Sequence, residues 1–128
     1  MMRRNLQLLA VVAILALGLI ASAAARRPPT PAERSAIVRA LPKSYRASIA
    51  KAPVGCVTLI THVSTNGRFA QVTPRFSPRS VCVRYASDGF FLVKRVTEGT
   101  WRTIFDGSDQ PSCDLGVPLD LISCAGYH

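Results

Sequence analysis

The sequence predicts an α+β fold, with one or two short helices packed on a four- to five-stranded antiparallel meander and a disulfide-bridged C-terminal flap. Three observations predict it. Apolar residues recur at helical spacing between residues 30 and 52. Short β-branched runs separated by turn residues follow as far as residue 105. Residues 106–128 then carry two of the four cysteines, with Gly and Pro between them. A helical region followed by a run of strands is the α+β pattern.

Residues 1–25 are interpreted as a secretory signal peptide. A basic start at Arg3 is followed by an apolar stretch from Leu8 to Ile20 and then by small residues. We expect cleavage near Ala23–Ala25 and export to the extracellular space or the cell envelope, with no membrane attachment afterwards. The alternative is a retained anchor, because the uncharged stretch is long enough to span a bilayer.

Cleavage leaves a basic, proline-containing linker, 26–29, and one small domain, 30–128. Residues 26–128 together hold 14 Lys+Arg against 7 Asp+Glu, a net charge of +7. The charge is uneven, because residues 106–128 contain four Asp and no Lys or Arg. Such a chain is too short for a multidomain enzyme, and its composition excludes a polytopic membrane protein or a disordered tail. A basic body favours polyanionic partners through long-range attraction.

Two short helices are predicted before the sheet. Thr30 can cap the first, Pro31 suits its first position, and Glu33 can complete a capping box. Its apolar stripe consists of Ala36, Ile37, Ala40 and Leu41. Pro42 ends it, and a second short helix is predicted over Lys43–Ala52.

Five runs have the composition of strands. They are Cys56–Val63, Phe69–Thr73, Val81–Ala86, Phe90–Val96 and Thr100–Phe105. Asn66-Gly67 and Asp88-Gly89 are hairpin signals, Glu98-Gly99 is a third turn, and Pro74–Pro78 is expected to be a loop. Two alternating sets are expected to face the core: Val81, Val83 and Tyr85, and Trp101, Thr103 and Phe105. In the flap, a last short helix is expected over Pro118–Cys124.

The four cysteines are expected to form two disulfides, because export leads to an oxidising compartment. Four cysteines allow three connectivities, and sequence alone does not choose among them. We expect Cys56–Cys82, from two strand-like runs that could be neighbours, and Cys113–Cys124, which closes a short loop with turn residues. A metal site is not expected, since closely spaced ligand pairs are missing, and no cofactor is implied.

The candidate binding residues are Arg68, Arg75 and Arg79, which lie in or near predicted loops and could form a polyanion-binding patch. Catalytic motifs such as G-x-S-x-G, a P-loop or a dinucleotide fingerprint do not occur. A small secreted ribonuclease would need an acid–base pair and a phosphate-binding arginine. Those residue types are present as Glu98, His62 or His128, and Arg84 or Arg102, without the spacing of that family.

One resemblance emerges from the C-terminal half. The run Trp101…Gly107…Cys113-Asp114-Leu115-Gly116-Val117-Pro118…Cys124 resembles the tail of small exported actinobacterial proteins of unknown function. Val63-Ser64-Thr65 followed by Arg68-Phe69-Ala70 is similar to a central segment of the same proteins. The resemblance implies a secreted bacterial protein with a bridged tail. It implies no activity, ligand or catalytic residue.

The leading hypothesis is a secreted, disulfide-stabilised, non-enzymatic binding protein with a basic face. Its expected partner is an anionic envelope polymer or a secreted protein, and nucleic acid is not expected. One alternative is a small secreted hydrolase such as a ribonuclease. Another is an inhibitor of a secreted enzyme that uses the Asn66-Gly67 turn or the Arg75 loop as its contact.

Overall fold

A computed structural model describes residues 26–125. The expected signal peptide, its cleavage site near Ala23–Ala25 and the terminal His128 lie outside the described residues. Within residues 26–125, no helix is both long enough and apolar enough to cross a membrane.

The described chain confirms the α+β class. Its elements are helices α1 (Pro31–Arg39) and α2 (Lys43–Ala50), strands β1 (Val57–Val63) and β2 (Phe69–Phe76), a 3-10 helix (Ser80–Tyr85), strands β3 (Phe90–Thr97) and β4 (Thr100–Gly107), and a single 3-10 turn in the flap (Cys113–Leu115). The strands form one antiparallel sheet in the order β1-β2-β3-β4. The sheet therefore has four strands, the lower of the two expected numbers.

Helix α1 begins as the sequence predicts. The Thr30 hydroxyl accepts a hydrogen bond from the Glu33 amide (3.2 Å), and the Glu33 carboxylate accepts one from the Thr30 amide (3.0 Å). The guanidinium of Arg27 donates two further bonds to the same carboxylate, at 2.7 and 2.9 Å. Arg27 also pairs through its backbone with Val63. Part of the expected linker is thus tied to the outer edge of β1.

We predict that Glu33→Gln destabilises the protein by about 1–2 kcal/mol at pH 7. Hydrogen bonds from Arg27 lower the pKa of Glu33 from 4.5 to about 2, with the Thr30 bonds contributing. Because the folded-state pKa is depressed, the stabilisation is fully present above pH 4.5 and is lost as the pH falls towards 2. In urea unfolding at pH 7, 4.5, 3 and 2, the free energies of unfolding of the unaltered protein and of Glu33→Gln should converge as the pH falls. Glu98→Gln is the matched control, since Glu98 is exposed and forms no ion pair within residues 26–125; parallel curves down to pH 2 would contradict the prediction.

The main core lies between the helices and one face of the sheet. Its buried residues are Ala36, Ile37, Leu41, Val63, Ala70, Val72, Phe91, Val93 and Trp101. A hydrogen bond from the Thr103 hydroxyl to the Ala40 carbonyl (2.7 Å) ties the end of α1 to β4. The predicted apolar stripe of α1 is confirmed as the face that packs on the sheet.

The predicted strand Val81–Ala86 is wrong, because this segment is the 3-10 helix Ser80–Tyr85. Cys82 is fully buried, whereas Val81 and Val83 are 54% and 63% exposed and contribute nothing to the core. The bond from Cys82 to Cys56, just before β1, holds the segment at that end of the sheet. Strand β2 then pairs directly with β3. Consequently Asp88-Gly89 is not a hairpin turn; Gly89 adopts a φ of +125° where its Cα faces the Gly107 carbonyl.

Strand β2 is longer than predicted, since it continues through Pro74 to Phe76. Proline cannot donate a ladder hydrogen bond and is therefore confined to positions without a neighbour on its N–H side. The ladder between β2 and β3 covers only Phe69–Val72, so Pro74 pairs with Leu59 of β1 alone. The expected loop over Pro74–Pro78 starts only at Ser77.

A β-bulge divides the set Trp101, Thr103 and Phe105, which the sequence predicts on one face of β4. Phe105 pairs with Leu92 and Thr103 with Val93, so Ile104 is the extra residue. Trp101 and Thr103 face the helices, while Phe105 turns to the other face and stacks on Phe90 at 5.2 Å. The prediction of one common face for Phe105 and Trp101 is wrong because alternation does not reveal a bulge.

Both predicted disulfides are confirmed: Cys56–Cys82 and Cys113–Cys124. The second closes the C-terminal flap, which is anchored where the Asp120 carboxylate accepts hydrogen bonds from the Thr65 amide (2.8 Å) and hydroxyl (3.0 Å). Leu121 of the flap is buried. The expected helix over Pro118–Cys124 is wrong, since only a turn forms around Leu121.

Candidate basic binding site

The three arginines proposed from the sequence lie at two ends of β2. Arg68 directly precedes the strand and Arg75 lies near its end. Seven residues of extended chain separate them by about 24 Å, well beyond the screening length of roughly 8–10 Å at physiological ionic strength. Arg79 lies near Arg75, where its guanidinium donates to the Val54 carbonyl at 2.8 Å. The fold therefore does not combine Arg68 with the other two.

Arg68 instead joins two cations of β3. A cleft of about 410 Å³ is lined by Arg68, Lys94, Arg95, Val96, Thr97 and Glu98. We call this group the basic cleft. Its three cationic side chains are exposed, and only one carboxylate, Glu98, lines it.

The backbone around the cleft explains why these cations meet. The Asn66-Gly67 turn, confirmed between β1 and β2, fixes Arg68 by a bond from its amide to the Asn66 side chain (2.9 Å). The Arg68 carbonyl accepts the Arg95 amide at 2.8 Å, which joins the two strand ends. Lys94 pairs with Phe69 across the sheet, and its ammonium lies 5.8 Å from the ring centroid.

The backbone is irregular at the β3–β4 turn, which forms one wall of the basic cleft. Arg95 pairs with Trp101 and Thr97 with Thr100, so Val96 is an extra residue and the strand twists there. Gly99 closes the turn with a φ of +77°, a conformation that favours glycine. Lys94 also pairs with Arg102 of β4, which does not line the basic cleft.

The cations of the basic cleft are not neutralised within the described part of the chain. Among residues 26–125 the one ion pair within 4.0 Å is Arg27–Glu33. Arg68, Lys94 and Arg95 therefore keep their charge available to a ligand. With Glu98 included, the lining carries a net charge of +2.

The opposite end of β3 has the opposite charge. A smaller cleft of about 210 Å³ is lined by Tyr45, Asp88, Phe90, Asp106 and four neighbours. Burial, and then the negative charge of Asp106, raise the pKa of the Tyr45 hydroxyl. An anionic ligand is therefore attracted to the Lys94 end of the strand and repelled from the Phe90 end.

Glu98 and His62, one of the two acid–base pairs of the ribonuclease alternative, are far apart, and the other pair uses His128, which lies outside the described residues. His62 pairs with Gln71, which pairs with Leu92, so His62 and Leu92 are two strands apart. Glu98 lies six residues beyond Leu92, which places it about 20 Å from His62. Burial, and then the charge of Arg26, lower the pKa of His62. A general acid and a general base must each reach the same reacting phosphate by a hydrogen bond or through one bridging water, and a separation of about 20 Å is too large for that.

Residues 26–125 contain no group of three or more His, Cys, Asp or Glu that could hold a metal ion. Comparison of the chain with protein-family models, with curated proteins and with solved structures gives no match.

Two cations of the basic cleft, Lys94 and Arg95, were not among the residues proposed from the sequence. The signal that could have revealed them is their adjacency in a strand that leads to the Glu98-Gly99 turn. What the sequence did not show was that β2 and β3 are neighbours, which brings Arg68 beside them.

Proposed function

We propose that this chain is an exported, non-enzymatic binding protein of the extracellular space or cell envelope, which holds an anionic polymer in the basic cleft. The observation that carries the proposal is the group of three exposed cations around one cleft, none of which forms an ion pair within residues 26–125. The two disulfides support an oxidising location. Cleavage of residues 1–25 and the resemblance to exported actinobacterial proteins remain predictions.

Phosphate-rich polymers suit this cleft better than single carboxylates. Two arginines offer planar, multidentate donors, which match phosphate geometry, and Lys94 adds a point charge. Several adjacent cations bind a chain of anions with release of its counterions, so affinity should fall as salt rises.

The test is binding of a soluble linear polyphosphate at 50, 100 and 200 mM salt. We expect Arg68→Gln/Lys94→Gln to weaken binding at least tenfold at 100 mM salt and to flatten its salt dependence. The matched control is Arg75→Gln/Arg84→Gln, which removes the same charge from exposed positions outside the basic cleft. It should change the affinity less than threefold.

Two results would overturn the proposal. Equal weakening by both double variants would show that the net charge binds the polymer without a defined cleft. Absence of salt-dependent binding by the unaltered protein would leave the basic cleft without this role. Retention of a native secreted protein by the unaltered chain, in the absence of any polyanion binding, would favour the protein-partner alternative.

A further inference from the structure

A second cleft opens beside the basic cleft, between α1 and the β3–β4 turn. It has a volume of about 300 Å³ and is lined by Ala32, Glu33, Ala36, Arg95, Glu98, Gly99 and Trp101. We call it the tryptophan slot. Arg95 and Glu98 line both clefts. The two spaces are therefore adjacent and share a cation at their junction.

The shape of the tryptophan slot follows from residue size and strand register. Arg95 and Trp101 are directly paired across β3 and β4, so their side chains lie on the same face of the sheet. Ala32 and Ala36 lie one turn apart on the same side of α1. These two short side chains and Gly99 leave room next to the indole, which is itself part of the core. The walls of the slot are consequently mostly apolar, in contrast to those of the basic cleft.

Its charges also favour an anion at one end only. Glu33 is held by two hydrogen bonds from Arg27, so its negative charge is already compensated. Glu98 is the one carboxylate of the slot without an ion pair within residues 26–125. Arg95, together with Arg68 in the adjoining basic cleft, outweighs that single charge at the junction. Lys94 precedes Arg95 in β3 and packs on Phe69, so it lies on the opposite face of the sheet.

We infer that the tryptophan slot and the basic cleft together bind an aryl phosphate group, with the flat ring beside Trp101 and the phosphate on Arg95 and Arg68. An aromatic ring gains both apolar burial and a directional contact with the indole. A volume of about 300 Å³ is at the lower end of the range of small-molecule sites, roughly 300–1,000 Å³, and admits a single ring. This inference rests on the proposed function, because the basic cleft supplies the cations for both.

The experiment compares three probes by calorimetry at one salt concentration: phenyl phosphate, inorganic phosphate and phenol. Phenyl phosphate should bind at least tenfold more tightly than either of the others. The chain has one tryptophan, so a change in its emission with phenyl phosphate, but not with inorganic phosphate, reports occupancy of the slot.

Two variants separate the ring from the phosphate. Ala32→Leu places a larger side chain at an exposed helix position that lines the slot. It should make phenyl phosphate bind no more tightly than inorganic phosphate. The affinity for polyphosphate should stay within threefold of that of the unaltered protein. Arg95→Gln should lower the affinity for phenyl phosphate at least tenfold, whereas the control Arg84→Gln should change it less than threefold.

The outcomes distinguish this inference from the proposed function. If polyphosphate binds but phenyl and inorganic phosphate bind equally, the aryl site is overturned and the polymer site stands. If phenol binds as tightly as phenyl phosphate, the coupling to the basic cleft is wrong. If neither polyphosphate nor phenyl phosphate binds, both proposals are overturned.

Discussion

Replacing Cys56 and Cys82 together by alanine is expected to lower the free energy of unfolding by about 4 kcal/mol. The bond joins residues 26 positions apart, and restriction of the unfolded chain over such a loop contributes about 3.5 kcal/mol. Both residues are completely buried, so removing the two sulfur atoms also weakens packing. Urea unfolding of both proteins at pH 7 measures the loss.

The second disulfide provides the matched comparison. Cys113–Cys124 spans 11 positions, for which the same argument gives about 2.8 kcal/mol. Its cysteines are half-buried and lie in the flap. We therefore expect Cys113→Ala/Cys124→Ala to cost less and to admit proteases to the flap before the sheet. If removing Cys113–Cys124 lowered the free energy of unfolding as much as removing Cys56–Cys82, or more, then Cys56–Cys82 would not be the more stabilising disulfide.

Replacing Ile37 by alanine is expected to lower the free energy of unfolding by about 3–4 kcal/mol. Ile37 is completely buried in the core and lies on α1, the helix that contacts β4. Truncation removes apolar burial and leaves a cavity that the sheet cannot fill without moving. For a domain of about 100 residues this loss lowers the melting temperature by roughly 15 °C, which calorimetry measures.

Val83→Ala is the control for this substitution. Val83 is 63% exposed on the 3-10 helix, so its truncation should change stability by no more than about 0.5 kcal/mol. This pair of variants also tests the corrected topology, because a core strand over Val81–Ala86 would require a large effect at Val83. A loss above 1.5 kcal/mol there, or below 1 kcal/mol at Ile37, would contradict the structure.

The parts of the fold that sequence predicts well are those determined by local chemistry. The capping box at Thr30, the stripe around Ile37 and the Asn66-Gly67 turn each depend on residues within a few positions of one another. The helix breaks at Pro42 for the same reason. These predictions need no knowledge of the remainder of the chain.

The errors occur where a distant partner decides the conformation. Val81–Ala86 has the β-branched composition of a strand, but Cys82 is bonded to Cys56 and the segment forms a 3-10 helix. Pro74 is tolerated in β2 only because β3 ends its pairing earlier. The bulge at Ile104 depends on how β4 fits against β3, which periodicity does not record.

The candidate site shows the same division. The sequence predicts Arg68 at a turn, as the structure has it, but proximity along the chain suggests Arg75 and Arg79 as its neighbours. The residues that actually join it come from β3, through the pairing of Arg95 with the Arg68 carbonyl. A surface that is assembled across strands depends on the strand order, and the strand-like composition of Val81–Ala86 predicts a different order from the one observed.

The short ladder between β2 and β3 has a consequence for how the molecule opens. Four ladder pairs, from Phe69–Lys94 to Val72–Phe91, and the hydrogen bond from the Arg95 amide to the Arg68 carbonyl connect the β1–β2 hairpin to the β3–β4 hairpin. Each hairpin is a local unit of its own, whereas their union depends on this narrow seam and on the helices that cross it. Partial unfolding should therefore begin by separating the two hairpins before either one melts. Since the basic cleft draws Arg68 from one hairpin and Lys94 and Arg95 from the other, an anion bound there would hold the seam closed.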